Sequence, residues 1–281
     1  MSEKIIKAGV IGDPISHSLS PVIHRHWLEK YNINGTYEAI LVKPGELGGK
    51  LKELADKGYA GVNVTIPHKE KVMECTTELE ETAKKIGAAN TLTFNNGGIY
   101  GENTDWFGFW FCISNAGYMR GEDERVMVLG AGGAARGVIY ALMNEGIKDF
   151  LIVNRDQGRA EKMAEDFEAA NIGICGWSEI EAHLPDIDLL VNATSLGMRG
   201  QPTLEIDLTG LKKPATVGDI IYNPLKTGLL LQAEKLGFAA IGGLDMLIGQ
   251  AVPGFEKWFG VHPKITPELR QLLVTALEKQ C

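Results

Sequence analysis

The stretch from Val126 to Gly146, VMVLGAGGAARGVIYALMNEG, leaves this chain few options. An apolar run, a glycine-rich turn and an apolar helical pattern in direct succession read as a buried strand feeding a helix, the opening of a parallel sheet with crossover connections. Gly130, Gly132 and Ala135 stand at G-x-G-x-x-A spacing. The first glycine makes the tight bend, the second lets backbone amides approach a pyrophosphate, and a small third residue lets helix and strand pack closely. The next apolar run, FLIVN, ends in Asn154 and Arg155, with Arg159 one turn further on. Where an acidic side chain would accept the ribose hydroxyls of NAD, guanidinium groups favour a 2′-phosphate, so the cofactor expected is NADP. Asp156 lies between the two arginines and has to turn away for a phosphate to sit there. Strand and helix continue to alternate through ICGW, DLLVNAT, TVGDIIY and FAAIGG, giving six strands between 125 and 243 and a doubly wound, Rossmann-type nucleotide domain. Thr194, Ser195 and Tyr222 fall at carboxyl ends of these strands, where such sheets bind ligands.

The first third of the chain alternates too. IIKAGVI predicts a buried strand, GDPISHSLSP a turn-rich connection, VIHRHWLEKY a helix, TYEAILV a second strand and PGELGGKLKELADKG an amphipathic helix. That order implies a mostly parallel α/β sheet. Beyond the helical segment LEETAKKIG and the run AANTL, Asn95-Asn96-Gly97-Gly98 predicts a hairpin whose second arm ends in GENTD. An aromatic helix, WFGFWFCISNAG, then leads to a charged linker, RGEDER, at 120–125. For 281 residues two domains are expected: 1–105 for substrate binding and catalysis and 106–243 for the nucleotide. Residues 244–281 read as two helices with no strand to pair, packing back on the first domain.

Chemistry is expected around GVNVTIPHK, residues 61–69. In a strand, Val62, Val64 and Ile66 would cover a core while Asn63 and Thr65 share the opposite face. Pro67 suits the first position of a helix, which would put His68 and Lys69 in its first turn. There the macrodipole disfavours an ammonium by roughly 0.3–1 kcal/mol when exposed and more when partly buried, and because burial and like charge both lower a lysine's pKa, one held at that point can give and take a proton near neutral pH. The alternative is a surface lysine after an ordinary turn. Asp105, directly before the aromatic helix, reads either as its N-cap or as a carboxylate that orients a substrate hydroxyl and a nearby ammonium. Ser20 followed by Pro21 has the pairing of an N-cap with a first helical residue, and free amides there, beside the hydroxyls of Ser18 and Ser20, would suit a carboxylate. A plain capping serine accounts for Ser20 and leaves Ser18 without a role. His24 and His26 are two apart on a helix and point away from each other, so no metal site is expected.

A net charge of −8 argues against a nucleic-acid or anionic-membrane surface and for small-molecule partners. No apolar run is long enough to span a bilayer, and MSEKIIKAGVIG lacks the uncharged core of a secretory signal, so a cytoplasmic protein is expected. Cys75, Cys112, Cys175 and Cys281 form no CxxC pair, as isolated thiols in a reducing compartment would not.

Taken together, PISHSLSP, VNVTIPHK, GAANTL, GENTD, GAGGAAR, NR, NATSLGM, YNP and the LDMLIGQA segment resemble the shikimate dehydrogenase family, in order and at compatible spacing from residue 9 to residue 262. The resemblance implies an NADP-dependent oxidoreductase that reversibly reduces 3-dehydroshikimate to shikimate in aromatic amino acid (chorismate) biosynthesis, as a monomer or homodimer. It implies Lys69 as general acid/base with Asp105 as its partner, Ser18 and Ser20 on the ring carboxylate, and Asn63, Thr65, Asn90, Tyr222 and Gln250 on the ring or its hydroxyls. For the cofactor it points to Gly130, Ala131, Gly132, Gly133, Ala134, Asn154, Arg155, Arg159, Thr194, Ile220, Gly243 and Met246, with Glu81 as a further candidate. Two positions depart from the family pattern: Asp156, where a small hydroxyl residue often helps hold the 2′-phosphate, and Asp245, in place of a frequent glycine beside the nicotinamide. The rival readings are a quinate/shikimate dehydrogenase using NAD and a non-catalytic ligand sensor on the same fold. Paired serines and the two arginines speak against the former, and retention of both Lys69 and Asp105 against the latter.

Overall fold

The apolar runs form strands of two separate sheets. The computed structural model describes residues 5–118 and 123–280, so the start of the N-terminal run, linker residues Arg120, Gly121 and Glu122, and Cys281 lie outside the described part. Early in the chain come β1 (Ile6–Gly12), α1 (Ser20–Lys30), β2 (Gly35–Leu41), α2 (Leu47–Asp56), β3 (Tyr59–Val64), the two-residue β4 (Glu78–Leu79), α3 (Glu81–Ile86), β5 (Thr91–Asn95) and β6 (Gly98–Glu102). These strands form one sheet in the order β2-β1-β3-β5-β6-β4. Pairings β1 with β2, β1 with β3 and β4 with β6 are parallel, whereas β3 with β5 and β5 with β6 are antiparallel, so the sheet is mixed with parallel pairs in the majority. Asn96 (φ 49°) and Gly97 (φ 77°) close the β5-β6 hairpin, the left-handed pair that a two-residue turn requires.

After α4 (Asp105–Asn115) the second pattern begins: β7 (Arg125–Leu129), α5 (Gly133–Asn144), β8 (Asp149–Val153), α6 (Gln157–Asp166), β9 (Asn171–Cys175), α7 (Ile180–His183), β10 (Leu189–Asn192), β11 (Thr216–Asp219), α8 (Gly228–Leu236) and β12 (Ala239–Gly242). Arg125 is already in β7, so the linker is shorter than its charged composition implies. All five pairings are parallel, in the order β12-β11-β10-β7-β8-β9. This is the doubly wound arrangement, with strand order reversing between β7 and β10. Both faces are covered: Val126, Val128, Phe150, Ile152 and Val191 enter one core, Met127, Leu129, Leu151, Val153 and Leu190 another. That is why these strands read as unbroken apolar runs.

The chain ends in α9 (Leu244–Phe259) and α10 (Pro267–Glu278). It divides into two compact units, Met1–Asp105 with Ile248–Cys281, and Trp106–Leu247, so the boundaries fall at the first peptide of α4 and within α9. In the first unit, the Trp258 indole of α9 lies against Gly61 of β3 and donates to Leu92 O at 3.0 Å. A Cβ at Gly61 would stand 2.1 Å from Trp258 Nε1 and 2.0 Å from Leu92 O, so no larger residue fits. Lys257 adds ion pairs to Glu80 (2.8 Å) and Glu102 (2.7 Å), and α10 packs on α1. Val62 and Val64 are in the core as the alternation predicts, but Ile66 is 54 % exposed, because β3 ends at Val64 and the alternation ends with it. Among the described residues no helix is long and apolar enough to cross a membrane.

Candidate active site

The segment after β3 is a turn and not the α-helix start that Pro67 suggests. Tertiary hydrogen bonds hold it that way: His68 is buried with Nε2 2.7 Å from Val42 O, and Lys69 O accepts from Ala89 N at 2.8 Å. The Ile66-Pro67 peptide is cis, and the helical residues that follow are a short 3-10 turn, Lys71–Cys75. Lys69 therefore precedes any helix, and the macrodipole argument does not apply to it.

Lys69 Nζ donates to Asp105 Oδ2 at 2.6 Å, with the two side chains 15 % and 4 % exposed. Asp105 is the first residue of α4 and not its cap. The cap contact comes from Asn103, whose Oδ1 accepts from Asp105 N at 2.9 Å while its Nδ2 donates to Ala88 O at 2.9 Å. The second carboxylate oxygen, Oδ1, accepts from Asn90 Nδ2 at 2.9 Å. Both oxygens of Asp105 are thus directed, one by a cation and one by an amide.

Asn90 is the hub of the surrounding network. Its Oδ1 accepts from Thr104 N at 2.7 Å, and its Nδ2 lies 3.0 Å from Thr104 Oγ1 and 3.2 Å from Gln250 Oε1. Thr104 Oγ1 donates in turn to Gln250 O at 2.8 Å. Next along the sheet, Asn63 Nδ2 donates to Thr91 Oγ1 (3.0 Å) and Asn90 O (3.2 Å), and Asn63 Oδ1 accepts from Tyr37 OH at 2.7 Å. Tyr37 also hydrogen-bonds the Ser20 side chain, and burial holds its phenol well above the usual range. Ser20 is the first residue of α1, with Leu19 in the capping position, so the serine does not cap; Ser18 Oγ accepts from Ser20 N at 3.3 Å instead. Behind Tyr37, His24 stacks at 3.7 Å with an interplanar angle of 4°. Burial lowers its pKa to about 3, so the ring is neutral.

Ser18, Ser20, Asn63, Thr65, Lys69, Asn90, Asp105 and Gln250 all belong to the first unit, and the bonds above join all but Thr65, which sits half-buried just after β3. Glu81 is in the same unit at the start of α3, exposed and paired with Lys84 at 2.8 Å. Tyr222 lies beyond the end of β11 in the second unit.

The second unit carries the glycine turn. Gly130 has φ +109°, a conformation closed to other residues, and a Cβ there would meet Thr194 Cγ2 at 3.1 Å and Ala193 O at 3.2 Å. Gly132 precedes α5 with no side-chain cap, so the first-turn amides of Gly133 and Ala134 are available to an anion. The guanidinium of Arg159 lies beside this turn, its Nη2 4.0 Å from where a Cβ of Gly132 would be. Asp156 does turn away: it caps α6, with Oδ1 accepting from Arg159 N at 3.2 Å, while Asn154 Nδ2 donates to Asp156 O at 2.7 Å. Arg155 and Arg159 are both exposed. A glycine cradle open to a pyrophosphate, with two cations at the adjoining strand end, fits a dinucleotide bearing an extra phosphate. Ala131, Ile220, Gly243 and Met246 belong to the same unit, all but Ile220 buried.

Among the described residues Cys75, Cys112 and Cys175 form no disulfide, and no group of three or more His, Cys, Asp or Glu could hold a metal. Reading the sequence missed Thr104, Asn103 and Tyr37. The first two lie inside GENTD, beside the carboxylate that drew attention, whereas Tyr37 reads as an ordinary core position of β2 and only its long-range contacts reveal it.

The family model described as the shikimate dehydrogenase substrate binding domain matches residues 10–92, and the one described as shikimate / quinate 5-dehydrogenase matches 115–198. Similar curated proteins include shikimate dehydrogenase (NADP(+)) of Roseobacter denitrificans, 45 % identical over 95 % of this chain and 97 % of the relative. That of Dinoroseobacter shibae is 46 % identical over 95 % and 96 %. Among solved structures, shikimate 5-dehydrogenase from Thermus thermophilus in complex with NADP(H) and shikimate superposes with a TM-score of 0.85 at 31 % identity, covering 99 % of this chain and 100 % of that one. Quinate dehydrogenase from Corynebacterium glutamicum in complex with NAD gives 0.87 at 29 % identity, covering 96 % and 99 %.

Proposed function

Because the chain belongs to the shikimate dehydrogenase family, we infer that it catalyses the reversible, NADPH-dependent reduction of 3-dehydroshikimate to shikimate, an oxidoreductase step of aromatic amino acid biosynthesis. The observation that carries the chemistry is the 2.6 Å contact of Lys69 with Asp105, itself fixed through Asn90. In this reading Ser18 and Ser20 receive the ring carboxylate, and Asn63, Thr65, Asn90, Tyr222 and Gln250 address the ring and its hydroxyls. Gly130 to Ala134 hold the pyrophosphate of NADP, and Asn154, Arg155 and Arg159 its 2′-phosphate. Thr194, Ile220, Gly243 and Met246 serve the nicotinamide half. Glu81, bound to Lys84 and exposed, has the weakest support of the candidates.

When bound, the reduced nicotinamide supplies a hydride to the ring ketone. As that oxygen gains charge, Lys69 as ammonium delivers a proton from Nζ; in the oxidative direction the neutral amine takes the hydroxyl proton. Asp105 keeps the amine in one position, so that the remaining Nζ hydrogens are free for substrate. Asn90 keeps Asp105 from rotating, which preserves that aim between turnovers.

The guanidinium of Arg159 beside Gly132 favours NADP over NAD. The ligands are small molecules, and on this reading the enzyme acts in the cytoplasm as a monomer or homodimer. The test is to supply the purified protein with each pairing of 3-dehydroshikimate or 3-dehydroquinate with NADPH or NADH. Rapid NADPH oxidation with 3-dehydroshikimate alone is expected; a preference for 3-dehydroquinate with NADH would replace this function with the quinate activity, and no oxidation in any pairing would leave only a ligand sensor.

A further inference from the structure

Asp219, the last residue of β11, is a buried carboxylate that the proposed mechanism does not use. It is 3 % exposed, and its oxygens accept from neutral donors: Asn192 Nδ2 (3.1 Å) and Ile221 N (3.0 Å) on Oδ1, and Thr227 Oγ1 (2.7 Å) on Oδ2. Burial pushes its pKa up to about 6, so above that pH an ionised group is kept in a poorly solvated place.

Two of the three donors, Asn192 and Ile221, lie on segments that lead to cofactor candidates; the third, Thr227, opens α8. Asn192 ends β10, and its Oδ1 accepts from both Thr194 N (3.0 Å) and Thr194 Oγ1 (2.7 Å). Asn192 O accepts from Ile220 N at 3.1 Å, and Ile221 O accepts from Gly243 N at 3.1 Å. Thr227 caps α8 by accepting from Leu230 N. One carboxylate therefore ties together the ends of β10, β11 and β12 and the start of α8. We infer that Asp219 is a positioning residue for the nicotinamide half of NADP, fixing Thr194, Ile220 and Gly243 relative to one another without touching the cofactor. This rests on the reading of those three residues as cofactor contacts.

An uncharged amide of the same shape removes the cost of keeping a charge buried there. Asp219→Asn keeps an oxygen for Asn192 and Ile221 but turns an NH2 toward Thr227, whose hydroxyl must then accept where it donated while it also accepts from Leu230 N, so a charge-assisted tie to α8 becomes a weaker neutral one. Thr227→Ala removes the same tie from its other end, and Thr227→Ser retains it. The measurements are NADPH affinity by fluorescence titration, shikimate affinity by calorimetry and the melting temperature, all near pH 8, together with steady-state constants.

Asp219→Asn and Thr227→Ala are each expected to weaken NADPH binding about tenfold, leaving shikimate affinity and kcat within about threefold of wild type. Asp219→Asn should melt no lower than wild type, and Thr227→Ser should behave as wild type. Unchanged NADPH affinity in both Asp219→Asn and Thr227→Ala overturns the inference, and so does an equal loss of NADPH and shikimate binding with a lowered melting temperature. Wild-type protein that fails to bind NADPH overturns the cofactor reading and this inference with it, whereas failure confined to the variants' predicted behaviour overturns this inference alone.

Discussion

Lys69 and Asp105 are 36 positions apart in sequence and within a single hydrogen bond in space. Replacing Lys69 by Ala removes the proton donor, and kcat should fall by at least about 10²-fold, the scale of general acid/base help, while NADPH affinity in a binding titration stays near wild type. Turnover close to normal would remove Lys69 from the mechanism. His24 has a different consequence. Both its ring nitrogens are buried without a hydrogen-bond partner, and burial lowers its pKa from 6.5 to about 3. Between those values the unfolded chain binds a proton that the folded chain does not, so the stability this residue leaves intact above pH 6.5 drains away as the pH falls toward 3. The slope is up to about 1.4 kcal/mol per pH unit. His24→Phe keeps the stack on Tyr37 and abolishes that titration. Urea unfolding at neutral pH and near pH 5 should show the variant losing less stability on acidification than wild type; equal losses would mean that His24 finds a solvated state. At this scale the sequence pointed to Lys69, Asp105 and Asn90 by motif, but not to how they are held. Which oxygen of Asp105 meets which donor depends on rotamers and on partners such as Thr104 and Gln250, and no local pattern encodes those.

Elements with strong periodicity were legible, and those set by tertiary pairing were not. The β5-β6 hairpin is written in Asn96-Gly97, and β7 and α5 in the glycine turn between them. β4 has two residues and exists because Glu78 and Leu79 find Tyr100 and Gly101 of β6, a register that sequence periodicity cannot contain. Pro67 carries a helix-start signal, but the chain turns there instead because His68 commits its side chain to Val42 O and Lys69 its carbonyl to Ala89 N. Gly61 raises a prediction proper to this scale. With Trp258 2.1 Å and Leu92 O 2.0 Å from any added Cβ, Gly61→Ala must push α9 away from β3, at a cost of about 1–3 kcal/mol. Because α9 also carries Gln250, the melting temperature and kcat should fall together while NADPH affinity is retained. A variant with wild-type melting and turnover would show that this contact relaxes freely.

For the whole molecule, the doubly wound strand order could be anticipated from chain order and connection rules; in the first sheet the β5-β6 hairpin could, but the antiparallel pairing of β5 with β3 could not, since it depends on the direction in which the chain returns to β3. Apart from Tyr222 and Glu81, the two candidate sets occupy different compact units, which makes ligand effects separable. NADP at a hundred times its Kd should stabilise the fold by about 2.7 kcal/mol. Amide exchange should slow around 130–134, 154–159 and 192–194 with NADP, and around 18–20, 63–69 and 90 with shikimate. Shikimate protection confined to residues of the Trp106–Leu247 unit would contradict the assignment of its binding residues. The unit boundaries set a practical limit for anyone building chimaeras. One falls between Asp105 and Trp106 and the other between Leu247 and Ile248, so an exchanged nucleotide module has no loop in which to be spliced. Both sutures would run through helical backbone, and the first would leave the carboxylate partner of Lys69 on one parental sequence and its covalent neighbour on the other.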